Sequence, residues 1–88
     1  MANGLYLSGW NPDGASKEWE RTSMDRESSG DLLRSKGVPD RFGDPVEAVG
    51  WFMGDWLRVL VADYSNGRRI TLRVSDAGYL LEYDLVTA

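Results

Sequence analysis

The side chains that most often carry chemistry in small proteins are missing: the 88 residues include neither histidine nor cysteine. That removes the commonest nucleophiles and bases at once, and paired carboxylates remain possible. There are 14 Asp and Glu, and Glu18 with Glu20 and Glu82 with Asp84 have the spacing that puts both members on one strand face. Such a pair hydrolyses a substrate only when one member has a raised pKa inside a cleft. Nothing in the pattern supplies a cleft, so both pairs read as solvated faces and no catalytic residue is expected.

Asn11, Asp13, Ser16 and Glu20 gather oxygen ligands around a glycine-containing turn. The EF-hand spacing, with acids at alternate positions before the glycine and a glutamate six residues after it, is absent. The glycines form neither GxGxxG nor GxxxxGK[ST]. No metal or cofactor is expected.

Two groups remain that can recognise a partner. Arg58, Arg69 and Arg73 with Tyr64 are the ingredients of a nucleic-acid-binding sheet, in which cations meet phosphate and an aromatic ring stacks on a base. Glu82 and Asp84 fall on the neighbouring strand, however, and the formal net charge is −4, so cross-strand ion pairs compete with that use. The second group is aromatic. Trp10, Trp19, Trp51 and Trp56 are many for one small core; Trp56 reads as core and Trp19 as packing across a hairpin. Trp51 projects from a predicted helix away from its apolar stripe, beside Glu47 and Asp55; either residues 22–43 cover it, or it is exposed, where such a ring is worth about 2 kcal/mol or more to an interface.

The elements that position these residues are clearest at the end of the chain. Two alternating apolar runs meet at Asn66-Gly67 and a third follows Asp76-Ala77-Gly78, which predicts a three-stranded antiparallel meander. A two-residue turn at Asn66-Gly67 sets Asp63 opposite Ile70, Val61 opposite Leu72 and Val59 opposite Val74. Arg58, Leu60, Ala62 and Tyr64 then share the outer face with Arg69, Thr71, Arg73 and Ser75. At the second turn a three-residue loop would set Glu82 against Leu72 in the apolar face, at a cost of several kcal/mol. A four-residue loop is therefore expected, pairing Val74 with Tyr79, Leu72 with Leu81 and Ile70 with Tyr83. Leu60, Leu80 and Val86 are left outside, to be covered by the N-terminal segment or by a partner.

Earlier in the chain, residues 5–9 and 17–21 predict a hairpin around Asn11-Pro12-Asp13-Gly14, with Gly14 at positive φ and a charged return strand at the sheet edge. Residues 22–43 read as an irregular, flexible connection. Within it a short helix is expected over 31–36, capped by Ser28 or Ser29, anchored by Leu32 and Leu33, and stopped at Gly37-Val38-Pro39. Asp44-Pro45-Val46-Glu47 has the form of a capping box and predicts a longer helix over 45–54, with Val46, Val49, Gly50, Phe52 and Met53 in one stripe.

The expected fold is thus α+β over one domain, 1–88: an N-terminal β-hairpin, one short and one longer helix, and a C-terminal three-stranded meander packed against the longer helix. A chain of this size buries only about 60 to 65% of its unfolded surface, so the core is small. Absence of cysteine, of a basic and apolar leader, and of a span of about 18 apolar residues points to a cytoplasmic protein outside the membrane. The functional expectation is a small non-enzymatic protein-binding module, an inhibitor or regulator that docks on a larger protein or complex through Trp51, Glu47 and Asp55, as monomer or homodimer. A phage or mobile-element antagonist of a host nucleic-acid-binding enzyme, or a toxin immunity protein, fits that description. The alternative is a nucleic-acid-binding or transcription-accessory domain using Arg58, Arg69, Arg73 and Tyr64.

Overall fold

The computed structural model describes residues 11, 12 and 14–84. Its framework is an antiparallel sheet of five strands lying side by side in chain order: β1 (Glu20–Met24), β2 (Glu47–Met53), β3 (Trp56–Asp63), β4 (Arg69–Ser75) and β5 (Gly78–Asp84). Helix α1 (Arg26–Ser35) lies between β1 and β2 in sequence, followed by a 3-10 turn at Asp40–Phe42. The expected layout of two helices on a three-stranded meander is overturned, because the segment expected as the longer helix is β2.

The capping-box signal at Asp44 loses to pairing on both sides. β2 bonds to β1, with Arg21 opposite Trp51, and to β3, with Val49 opposite Val61. Ala48, Val49, Gly50 and Trp51 are all buried. A strand covered on both faces loses the polar alternation that advertises a strand, and an unbroken apolar run fits a helix equally well. Pro45 lies two residues before the strand, where its missing N–H costs no ladder bond, and the N–H of Val46 donates to the Asp63 carbonyl at 2.7 Å. The two-residue turn Gly54-Asp55 then closes the hairpin between Met53 and Trp56, with Gly54 at φ +61°, as a glycine-first two-residue turn allows.

The expected short helix is present but begins five residues earlier. Its cap is Asp25, whose carboxylate accepts the Ser28 N–H at 3.0 Å; that bond holds the carboxyl below its ordinary pKa. Ser28 and Ser29 lie inside the helix, and the buried Ser29 hydroxyl bonds back to the Asp25 and Arg26 carbonyls, so it leaves no donor unpaired. Gly30 permits a close approach: a Cβ there would run into the Asp44 carboxylate, which accepts from Arg34 Nη1 at 2.8 Å. The end is as expected, with Gly37 N–H on the Arg34 carbonyl and Val38 N–H on that of Leu33. Residues 22–43, expected to be irregular, carry the end of β1, α1 and the 3-10 turn.

The sheet has two buried faces. Under α1 lie Ala48, Leu60, Ala62, Tyr64, Ile70 and Leu72, closed by Leu33 and Val38. On the other side Val49, Trp51, Val59 and Val61 pack with Trp19. This division corrects the register expected at the first meander turn. The loop has three residues, Ser65-Asn66-Gly67, not two: Tyr64 N–H bonds to the Arg68 carbonyl, and Gly67, at φ +86°, bonds back to Tyr64. Leu60 therefore meets Leu72 and Val61 meets Thr71. One residue of slip moves every side chain of β3 to the opposite face relative to β4. The register between β4 and β5 is the expected one, with Val74 opposite Tyr79, Leu72 opposite Leu81 and Ile70 opposite Tyr83.

Residues 5–9, one arm of the expected N-terminal hairpin, lie outside the described residues, as do Trp10 and Val86. Gly14 has the expected positive φ, +79°, and Ala15 N–H donates to the Pro12 carbonyl.

Candidate functional site

The roles expected for Trp51 and Trp56 are exchanged. Trp51 is 2% exposed, with Arg21 Cζ 5.9 Å from its ring centroid and its Nε1–H donating to Asn11 Oδ1 at 3.4 Å. It is not an exposed anchor, because on a strand its side chain points into the face that Trp19 helps to close. Glu47 is half-buried at the opposite end of β2 from the turn that holds the exposed Asp55. The three residues do not form one patch.

The four residues of the nucleic-acid alternative are also separated. Tyr64 is 1% exposed and faces α1; burial pushes the pKa of its hydroxyl up to about 12, and among the described residues the oxygen has no hydrogen-bond partner. Arg69 and Arg73 are on the other side of β4. Arg69 grips both oxygens of the buried Asp63, at 2.7 and 3.0 Å, and Arg73 Nε meets Glu82 at 2.6 Å across β4 and β5. Arg58 is the extra residue that β3 carries where Trp51 pairs with Val59 and Phe52 with Leu57. Its guanidinium carbon sits 5.9 Å from the Trp19 ring.

What the fold does expose is an apolar end. Met53 and Trp56 flank the β2–β3 turn and Tyr79 and Leu80 follow the β4–β5 turn. Successive antiparallel strands bring these two turns to the same end of the sheet. Trp56 is 62% exposed and Leu80 58%, with Tyr79 and Met53 also open. On the α1 side an open groove of about 420 Å³ runs between the helix and this end, lined by Leu32, Lys36, Trp56, Leu57, Val74 and Asp76 among others.

A chain of cations and rings continues from the groove along β5. Lys36 Nζ stands 4.8 Å from the Tyr79 ring, and Arg68 Cζ is 4.7 Å from Phe42 and 5.9 Å from Tyr83. Arg41 covers the Phe42 ring at 5.4 Å. Sequence reasoning missed Trp56 because its position was assigned to the start of a core-facing strand. The Gly54-Asp55 turn was the available signal, since residues flanking a two-residue turn at a sheet end are the hardest to cover.

Asn11 and Ser16, two of the oxygen ligands near the Gly14 turn, are engaged with Trp51 and the Glu18 N–H, and among the described residues no cluster of three or more metal-ligating side chains forms. No described helix is long and apolar enough to cross a membrane. No protein-family model, curated protein or solved structure matches the chain.

Proposed function

We propose that this chain is a small protein-binding module that regulates or inhibits a larger protein by docking on it. The observation that supports the reading is the open end of the sheet, where Trp56, Tyr79, Leu80 and Met53 are each exposed, Tyr79 on the α1 side and Leu80 on the other, with Trp56 lining the groove beside α1. Tryptophan and tyrosine are favoured anchors because they bring large area at little cost in side-chain entropy. The mechanism is steric: Trp56 enters a pocket on the partner while Asp55 and Asp76, in the two adjoining turns, meet its cations. The anchor is thus the tryptophan that the strand geometry leaves outside, not Trp51.

The test is a quantitative capture of native lysate on the wild-type chain and on Trp56→Ala, after nuclease treatment. A protein retained stoichiometrically by the wild type and at least about tenfold less by the variant supports the module reading. Retention that disappears with nuclease replaces it with nucleic-acid binding, and equal retention by both chains removes Trp56 from the site.

A further inference from the structure

We propose that the outer edge of β5 takes up an extended acidic segment of the partner as a sixth strand. This rests on the protein-binding reading and specifies the partner's chemistry.

The edge is built to pair. Ser75 and Gly78 flank the two-residue turn and are opposite each other, so their backbone groups point at one another and every second residue of β5 points the other way. Tyr79, Leu81 and Tyr83 therefore aim their N–H and C=O groups outward. Among the described residues no strand pairs with β5 on that side. Several usual protections of an edge are missing, for β5 has seven residues with no proline and no lysine, its seven pairs with β4 run without a bulge, and Glu82 is held by Arg73 of the neighbouring strand, on the face away from α1.

Charge selects the occupant. The side chains of Tyr79, Leu81 and Tyr83 lie on the α1 side, where Leu81 packs on the core, Lys36 stands over Tyr79 and Arg68 over Tyr83. Neither cation is in an ion pair among the described residues, although acidic groups outnumber basic ones in the chain by 14 to 10. Tyr79 and Tyr83 are four residues apart, about 13 Å along a strand. An added strand with acids at alternate positions places one near Lys36 and another near Arg68, while its backbone completes the ladder.

A second copy of this chain fits the same edge less well. Antiparallel pairing of two β5 strands about Leu81 sets Tyr79 against the copy's Tyr83 and brings Lys36 beside a second Arg68. Like charges set opposite each other oppose that pairing.

The probe is a synthetic peptide of alternating Glu and Val, titrated into the full isotope-labelled chain and followed by amide NMR shifts and hydrogen exchange. Two control peptides replace Glu by Lys, or methylate alternate backbone nitrogens with the side chains kept. The Glu-Val peptide is expected to shift and protect Tyr79, Leu81 and Tyr83, and to bind at least about tenfold more weakly to Lys36→Glu/Arg68→Glu. The Lys-Val peptide is expected to bind at least about tenfold more weakly to the wild type, and the methylated peptide to lose the protection.

Failure of the Glu-Val peptide to bind, or equal binding of either control, overturns the proposal. So does concentration-dependent dimerisation that protects the same three amides, since a second copy would then own the edge. If the peptide fails while Trp56→Ala still abolishes capture of a partner, the strand addition is wrong and the docking module stands. If strand addition is seen but no protein is captured, the module reading lacks its partner while the β5 edge remains competent.

Discussion

The two faces of the sheet are closed in different ways. Beneath α1 the contacts are almost wholly apolar, with Leu33 in one cluster with Leu60, Ile70 and Leu72, and among the described residues the Tyr64 hydroxyl is buried without a hydrogen-bond partner. The opposite face begins with Trp19, Trp51, Val49, Val59 and Val61 and passes into polar ground: Thr71, the Asp63–Arg69 pair and the Arg73–Glu82 pair. The first face is held by area and fit, so its residues are replaceable by others of like volume. The second also depends on specific partners, and removing one partner breaks a charge-assisted contact that packing does not replace.

The largest effect should come from Trp51. Trp51→Ala is expected to cost about 3 to 5 kcal/mol in chemical denaturation, the range for emptying a buried aromatic site. A loss below about 1 kcal/mol would break the comparison by showing that the second face contributes little to folding.

Asp63 follows. Its side chain is almost fully buried and holds Arg69 by two charge-assisted bonds, so Asp63→Ala removes both bonds and should cost about 2 to 3 kcal/mol. Replacing both residues together, Asp63→Leu with Arg69→Met, is expected to recover most of that loss. A double replacement as damaging as the sum of the singles would show that the pair is favourable beyond its packing.

The difference between the faces also explains what could be read from the chain. The β4–β5 register was legible because a wrong choice would have buried Glu82 opposite Leu72, and a carboxylate penalises the error strongly. The β3–β4 register was not, because β3 is apolar on both faces: Leu60 and Ala62 suit one core as well as Val59 and Val61 suit the other. Only the turn decided it, and Asn66-Gly67 serves a three-residue loop with Gly67 in the left-handed region as readily as a two-residue one. The same ambiguity hid β2, whose two buried faces erased the alternation of a strand. The site suffered accordingly, since a tryptophan's exposure depends on the element that carries it. Trp51 in a helix would point outward, and in a central strand it cannot.

The fit of the α1 face can be tested in the crowding direction. A Cβ on Gly50 would lie 2.8 Å from Phe52 Cε1, 3.0 Å from Met24 Sδ and 3.2 Å from Leu57 Cδ1. Gly50→Ala should therefore cost about 1 to 2 kcal/mol by thermal denaturation, more than a strand glycine in open space would. An unchanged midpoint would mean that the three side chains turn aside freely and that this part of the face is loosely packed.

Tyr64 provides the smallest test. Its hydroxyl is buried without a partner among the described residues, while its ring packs edge-on to Phe42 with centroids 6.0 Å apart. Tyr64→Phe keeps the ring and removes the stranded oxygen, so it should stabilise the fold by about 1 kcal/mol at neutral pH. The sign of the alkaline effect follows from burial, which raises the folded-state pKa to about 12 against about 10 in the unfolded chain. Between those values the unfolded chain loses the Tyr64 proton and the folded one keeps it. Stability from this group is intact below about pH 10 and falls towards pH 12, by at most about 1.4 kcal/mol per pH unit. Tyr64→Phe should flatten that limb relative to the wild type, with lysines and the other tyrosines common to both proteins. If the variant is instead destabilised by about 1 kcal/mol or more at neutral pH, the hydroxyl has a bonded partner, and the α1 face is held by a specific contact as the opposite face is.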